Sequence, residues 1–78
     1  MTNVDDIKSI LENSHLRRIK VHNLQEDLPL TDQGFDSLDI FNVFLNIEKK
    51  YNIKIEDTDF DVLKTINDIV VFINKRAS

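Results

Sequence analysis

Few side chains in this 78-residue chain are equipped for chemistry. The imidazoles are His15 and His22, cysteine is absent, and Gly34 is the single glycine. Without cysteine there is no thiolate nucleophile, disulfide framework or thiolate zinc site, and two histidines outside an H-E-x-x-H spacing make a poor metal set. One glycine cannot build a phosphate-cradling loop, and no G-x-S-x-G elbow occurs. A Ser37/His22/Asp triad stays open by residue type, but no motif supports it, and both histidines read as surface positions. The acids Glu56, Asp57, Asp59 and Asp61 lack the glycine and terminal glutamate of a calcium loop, so weak ion binding is the most they suggest. No catalytic residue and no metal ligand is assigned, and the chain is not expected to be an enzyme.

What remains is the run Gly34-Phe35-Asp36-Ser37-Leu38-Asp39. A serine at the mouth of a helix is exposed, and the orphan N–H groups and dipole there favour an added anionic group by roughly 0.3 to 1 kcal/mol. The plainer role for Asp36 or Ser37 is to cap the helix, and the two roles are compatible.

The elements that must position this run follow from apolar spacing. Val4, Ile7, Ile10, Leu11 and Ser14 recur at helical intervals, with Asp5 and Asp6 in the first turn and Thr2 or Asn3 as cap. This helix is expected over about 3–15, because Leu16 falls about 180° from Ile7 and leaves the stripe. Residues 17–35 form a long loop pinned by Ile19, Val21, Leu24, Leu28, Leu30 and Phe35, turning sharply at Gly34. The second helix is expected over 36–51, with Ile40, Val43, Phe44, Ile47 and Tyr51 on one arc of about 100°. Leu38, Phe41 and Leu45 fall on a second arc beside Ser37 and Glu48, which predicts an exposed apolar edge and a contact surface; they could equally cover the loop from within. Asn52 ends the helix, and Ile53-Lys54-Ile55 alternates as an extended link. A short third helix is expected over 57–62. Thr65 and Asp68 make a capping box for a last helix over 66–76, which carries Ile66, Ile69, Val70 and Ile73 and ends at Lys75 and Arg76. The expectation is an all-α single domain over 1–78: a four-helix bundle with three main helices, one short third helix and a long loop between helices 1 and 2.

Charge narrows the partners. Fourteen acids against ten bases give a net charge of −4. Between Lys20 and Lys49 there is no Lys or Arg, while Glu26, Asp27, Asp32, Asp36, Asp39 and Glu48 lie in that stretch. Such a field suits a basic partner and opposes nucleic acid or a membrane surface. No apolar run approaches a membrane span and no secretory leader is recognisable, so the chain is read as cytoplasmic, mature as written, and a monomer.

The Asp-Ser-Leu triplet, preceded by Gly34-Phe35 and followed by Asp39, resembles the attachment motif of the acyl carrier protein family. The resemblance extends over nearly the whole chain: Leu28-Pro29-Leu30-Thr31-Asp32-Gln33-Gly34 is similar to the family's approach loop, Leu38 to Tyr51 to its recognition helix, and Thr65-Ile66-Asn67-Asp68-Ile69-Val70 to the start of its last helix. It implies that Ser37 receives a covalent 4'-phosphopantetheine from coenzyme A through a separate phosphopantetheinyl transferase, with a divalent cation assisting. The modified serine would then hold acyl groups as thioesters for acyl-loading, acyl-transfer or condensing enzymes of fatty-acid, polyketide or specialised biosynthesis, within lipid metabolism in the first case. The implied docking surface is Asp36, Leu38, Asp39, Phe41, Asn42, Leu45 and Glu48. The implied acyl pocket is Phe35, Val43, Phe44, Ile47, Ile55, Phe60, Val62 and Ile69; the bulky rings of Phe44 and Phe60 would limit it, and ordinary core is the preferred reading for them.

The chain departs from housekeeping members of that family, which have a strongly acidic second helix. Asn42 and Asn46 stand where acids would be expected, and Lys49 and Lys50 follow Glu48. The expectation is a dedicated partner set. An aminoacyl or peptidyl carrier, or a helical interaction domain without modification, remains the alternative; the first more often has Gly-Gly and a non-acidic residue ahead of its serine, where this chain has Asp36.

Overall fold

Asn3 starts the first helix by accepting the Asp6 N–H on its side chain at 2.9 Å, while the Asp6 carboxylate accepts the Asn3 N–H at 3.2 Å. The same reciprocal arrangement recurs along the chain. Asp36 and Asp39 form it at 2.8 and 3.1 Å, and Thr65 and Asp68 at 3.0 and 3.1 Å. Each such pair satisfies two backbone donors that a helix start would otherwise leave open. These caps set the N-termini of α1 (Val4–Glu12), α2 (Ser37–Tyr51) and α3 (Ile66–Ala77) in the computed structural model, which describes residues 1–14 and 19–77. Among the described residues there is no strand, and no helix is long and apolar enough to cross a membrane. His15 and Leu16 lie outside the described residues, so the surface position expected for His15 does too.

The first helix is shorter than its apolar spacing predicts, ending at Glu12 rather than near residue 15. Ser14 is the reason. Its hydroxyl donates to the Ile10 carbonyl at 2.7 Å, taking the acceptor that helix continuation would use, while its own N–H turns to Leu11 at 3.1 Å. A serine side chain that bonds back to the carbonyl four residues earlier competes with the backbone and weakens the helix at that point. The expected short helix at 57–62 is likewise a 3-10 segment, Asp57–Asp61. It is closed by Asp59 N–H to Glu56 carbonyl at 2.9 Å and Val62 N–H to Asp59 carbonyl at 3.1 Å, the i to i+3 pattern that suits short pieces.

The core is drawn from all three helices and from the loop. Ile7, Ile10 and Leu11 of α1, Val43, Phe44 and Ile47 of α2, and Ile66, Ile69 and Ile73 of α3 are buried together with Val21, Leu24, Leu30 and Phe35. Burying side chains of this size is worth about 1.5 to 3 kcal/mol each. Helix α1 packs against both α2 and α3. The chain start is tied to α3, since Asn74 accepts the Thr2 N–H at 2.9 Å and donates to the Thr2 carbonyl at 3.0 Å.

The long loop is a packed element, held by more than its apolar anchors. Gln33 accepts the Gln25 N–H at 2.8 Å and donates to the Gln25 and Leu28 carbonyls at 3.0 and 2.8 Å. Leu30 N–H donates to the Lys64 carbonyl at 2.8 Å, and Asn67 N–H to the Glu26 carbonyl at 3.0 Å, which fastens the loop to the entrance of α3. Gly34 then turns the chain with φ +102°, a left-handed conformation that costs other residues strain. That turn delivers Phe35 into the core and Asp36 to the start of α2.

Candidate functional site

Ser37 is the first residue of α2, directly after the capping Asp36. It is exposed, and its hydroxyl has no hydrogen-bond partner among the described residues. The capping is done by Asp36, which leaves Ser37 Oγ uncommitted. The first intrahelical bond is Ile40 N–H to the Asp36 carbonyl at 3.1 Å, and the Asp39 N–H is taken by the Asp36 side chain. The N–H groups of Ser37 and Leu38 precede that first bond and point out of the helix end, where the dipole is positive. A phosphodiester on Ser37 fits this environment. The carboxylates on either side each accept a backbone N–H, which tempers their repulsion of a further negative charge.

The apolar edge is open to solvent. Leu38, Phe41 and Leu45 are 68, 48 and 38% exposed, spaced along α2 from the turn that holds Ser37, with Asn42 exposed beside them. Asp39 is half-buried, and its carboxylate accepts the Asp36 N–H. Glu48 differs from the others on this surface: its Oε2 accepts the Ile55 N–H at 2.8 Å, so the carboxylate anchors the link after α2. Asn46 is also committed, donating to Ser14 Oγ at 2.7 Å and joining α2 to the end of α1. Sequence reasoning missed both roles, because their partners lie elsewhere in the chain.

A cleft of about 390 Å³ lies between the outer side of α2 and the segment Lys54 to Phe60, walled by Phe41, Phe44, Leu45, Ile55 and Phe60 with Glu48, Glu56 and Asp57 around it. The rings of Phe44 and Phe60 meet edge-on, with centroids 4.9 Å apart and planes at 72°. Of the eight residues expected to line an acyl pocket, this cleft brings together Phe44, Ile55 and Phe60. Phe35, Val43, Ile47 and Ile69 are close-packed core, and Val62 is 61% exposed beside Val71 and Phe72 of α3. A second groove of about 330 Å³ runs past Ile40, one turn from Ser37, and is bounded by Pro29, Thr31, Asp32, Leu63, Lys64 and again Phe60. His22 is exposed on the 3-10 segment Val21–Asn23 and is not part of either groove.

Comparison with known proteins adds a second line. Residues 9–73 match the family described as phosphopantetheine attachment site, a stretch that contains Ser37 and all of α2. The chain is similar to an acyl carrier protein of Wolinella succinogenes, 33% identical over 70 residues, covering 88% of this chain and 90% of the relative. It is 29% identical over 73 residues to an acyl carrier protein of Chlamydia caviae, covering 92% of each. With an acyl carrier protein of Phytoplasma australiense the identity is 41% over 47 residues, and that match spans 60% of this chain and 62% of the relative's length.

Proposed function

This chain belongs to the acyl carrier protein family, whose members bear covalent 4'-phosphopantetheine and are carriers rather than enzymes, and from that premise we propose that Ser37 is its attachment residue and holds acyl intermediates as thioesters. The observation that carries the reading is the position of Ser37: exposed, first in α2, with the capping already done by Asp36. In the attachment step Ser37 Oγ attacks the phosphorus of coenzyme A that bears the pantetheine arm. A P–O bond forms to serine, the pyrophosphate P–O bond breaks, the nucleotide part leaves, and the serine proton passes to a base on the transferase. This chain supplies the hydroxyl, the two N–H groups near the new phosphodiester and the surface on which the transferase sits. The arm supplies the thiol that carries the acyl group.

The domain is taken as one unit over 1–78, a monomer working in the cytoplasm, with Asp57–Asp61 as the short third member of a four-helix bundle. Its partners are a phosphopantetheinyl transferase and the acyl-loading, acyl-transfer or condensing enzymes of one pathway. Asp36, Leu38, Asp39, Phe41, Asn42 and Leu45 form the docking edge. That edge is more apolar and less acidic than a charge-driven surface, which supports a dedicated partner set, since exposed charges govern association rate and partner choice. The Asp directly ahead of Ser37 supports acyl over aminoacyl cargo.

Intact mass after co-expression with a transferase tests the central claim. A gain of one phosphopantetheine, lost in Ser37→Ala, is expected; no gain with several transferases would leave a helical interaction domain as the reading. Turnover by a general fatty-acid synthase set at the rate of its own carrier would refute the dedicated partner set.

A further inference from the structure

The segment Asp57–Asp61 forms one wall of the main cleft while burying none of its own residues. An element that buries so little is weakly held by the hydrophobic effect and depends on its polar and ring contacts. The ring of Phe60 rests on Phe44, and Asp59 Oδ2 accepts the Glu56 N–H at 2.9 Å. A further hold comes from α3. Arg76, in its last turn, donates through Nη1 to the Lys54 carbonyl at 3.2 Å and reaches Asp59 Oδ2 through Nη2 at 3.5 Å. Its guanidinium lies 4.6 Å from the centre of the Phe72 ring, which supports it from beneath. A planar fork with several donors can make both contacts at once, where an ammonium would make one.

We propose that Arg76 is a latch on the Phe60 wall. While it holds the Lys54 carbonyl and Asp59, Phe60 stays against Phe44 and divides the main cleft from the groove beside Ile40. When it lets go, the 57–61 segment moves, and the two grooves join one turn from Ser37. Arg76 thereby sets how much apolar volume is open next to the attachment residue. The contacts are exposed and individually weak, with the Arg76 and Asp59 side chains 44 and 17% accessible, so this is a latch that opens readily. The latch itself stands on the geometry; that the joined groove receives cargo from Ser37 rests on the carrier reading.

The test uses the unmodified protein, so its outcome is independent of whether Ser37 is loaded. The Val62 and Leu63 N–H groups both donate to the Asp59 carbonyl at 3.1 Å and report on the segment. In Arg76→Gln their amide exchange is expected to quicken about fivefold, the scale of one lost exposed ion pair with its hydrogen bond. The nuclear Overhauser contact between the Phe44 and Phe60 rings weakens alongside, while amides around Ile47 in the middle of α2 exchange as before. Unchanged exchange at Val62 and Leu63 overturns the latch, and so does an equal rise across α2, which would mean general loosening. Failure of Ser37 to take up phosphopantetheine would overturn the carrier reading and leave this result standing.

Discussion

At the scale of single residues, the start of α2 separates capping, at Asp36, from the proposed attachment at Ser37. Asp36 caps the helix through its carboxylate, and the Ser37 side chain contributes no bond to it. Ser37→Ala is therefore expected to change unfolding free energy by less than about 0.5 kcal/mol while removing all modification, as read by denaturant titration and intact mass. Asp36→Ala removes the cap and costs about 1 kcal/mol in the same titration. A stability loss in Ser37→Ala as large as that of Asp36→Ala would mean that the serine is a structural cap after all. The attachment candidate was legible in the sequence because the serine, its acids and Gly34 are adjacent, and adjacency is what a sequence displays. Glu48 was not legible in the same way. Its carboxylate turns inward to the Ile55 N–H, and the residue type alone fits a docking acid equally well.

At the scale of elements, the helices with clean caps and a full apolar arc emerge close to their expected bounds. The second was expected over 36–51 and spans Ser37–Tyr51; the last was expected over 66–76 and spans Ile66–Ala77. The first overran, since apolar spacing carries no sign that Ser14 will take the Ile10 carbonyl. The loop's anchors were readable as apolar residues, but its clamp was not, because Gln33 binds backbone atoms whose position only the fold supplies. Gln33→Ala leaves the Gln25 N–H and the Leu28 carbonyl without that partner, and a cost of about 1 to 2 kcal/mol is expected. Faster amide exchange at Gln25, with little change in α1, is the local sign to look for. A second test concerns the contact between α1 and α2. Asn46 donates to Ser14 Oγ, whose own proton goes to Ile10. Asn46→Asp replaces the donor with an acceptor, so Ser14 can satisfy the new carboxylate only by abandoning the Ile10 carbonyl, and a loss of about 1 to 3 kcal/mol is expected. Unfolding of Asn46→Asp at the same denaturant midpoint as the parent chain would show that the bond is dispensable.

At the scale of the whole molecule, a chain this small has no surplus core, and its loop must serve as one of the packing elements. Leu30 shows how far this goes. It sits in the 3-10 segment Leu30–Gln33, yet it is as buried as Ile69 and Ile73 of α3, and its N–H is bonded to Lys64 at the entrance of that helix. Loop residues are ordinarily tolerant of truncation, whereas a buried leucine leaves a cavity whose walls relax only partly. Leu30→Ala is therefore expected to cost about 2 to 5 kcal/mol, the range for a helix-core leucine or isoleucine, and to match Ile47→Ala in α2. Against a total stability of about 5 to 15 kcal/mol, either change brings the fold close to its limit. The two variants differ in what else they disturb. Leu30 lies inside the stretch that Gln33 clamps, and its carbonyl accepts the Phe35 N–H across the turn at Gly34 that leads to Ser37, so its loss should also slow attachment by the transferase under conditions where the variant remains folded. Ile47 lies two turns or more along α2, and its truncation should lower stability without that kinetic effect. Urea titration gives the first comparison and the rate of mass gain gives the second. A Leu30→Ala cost below about 1 kcal/mol would place the loop outside the cooperative core and return it to the status of a connection.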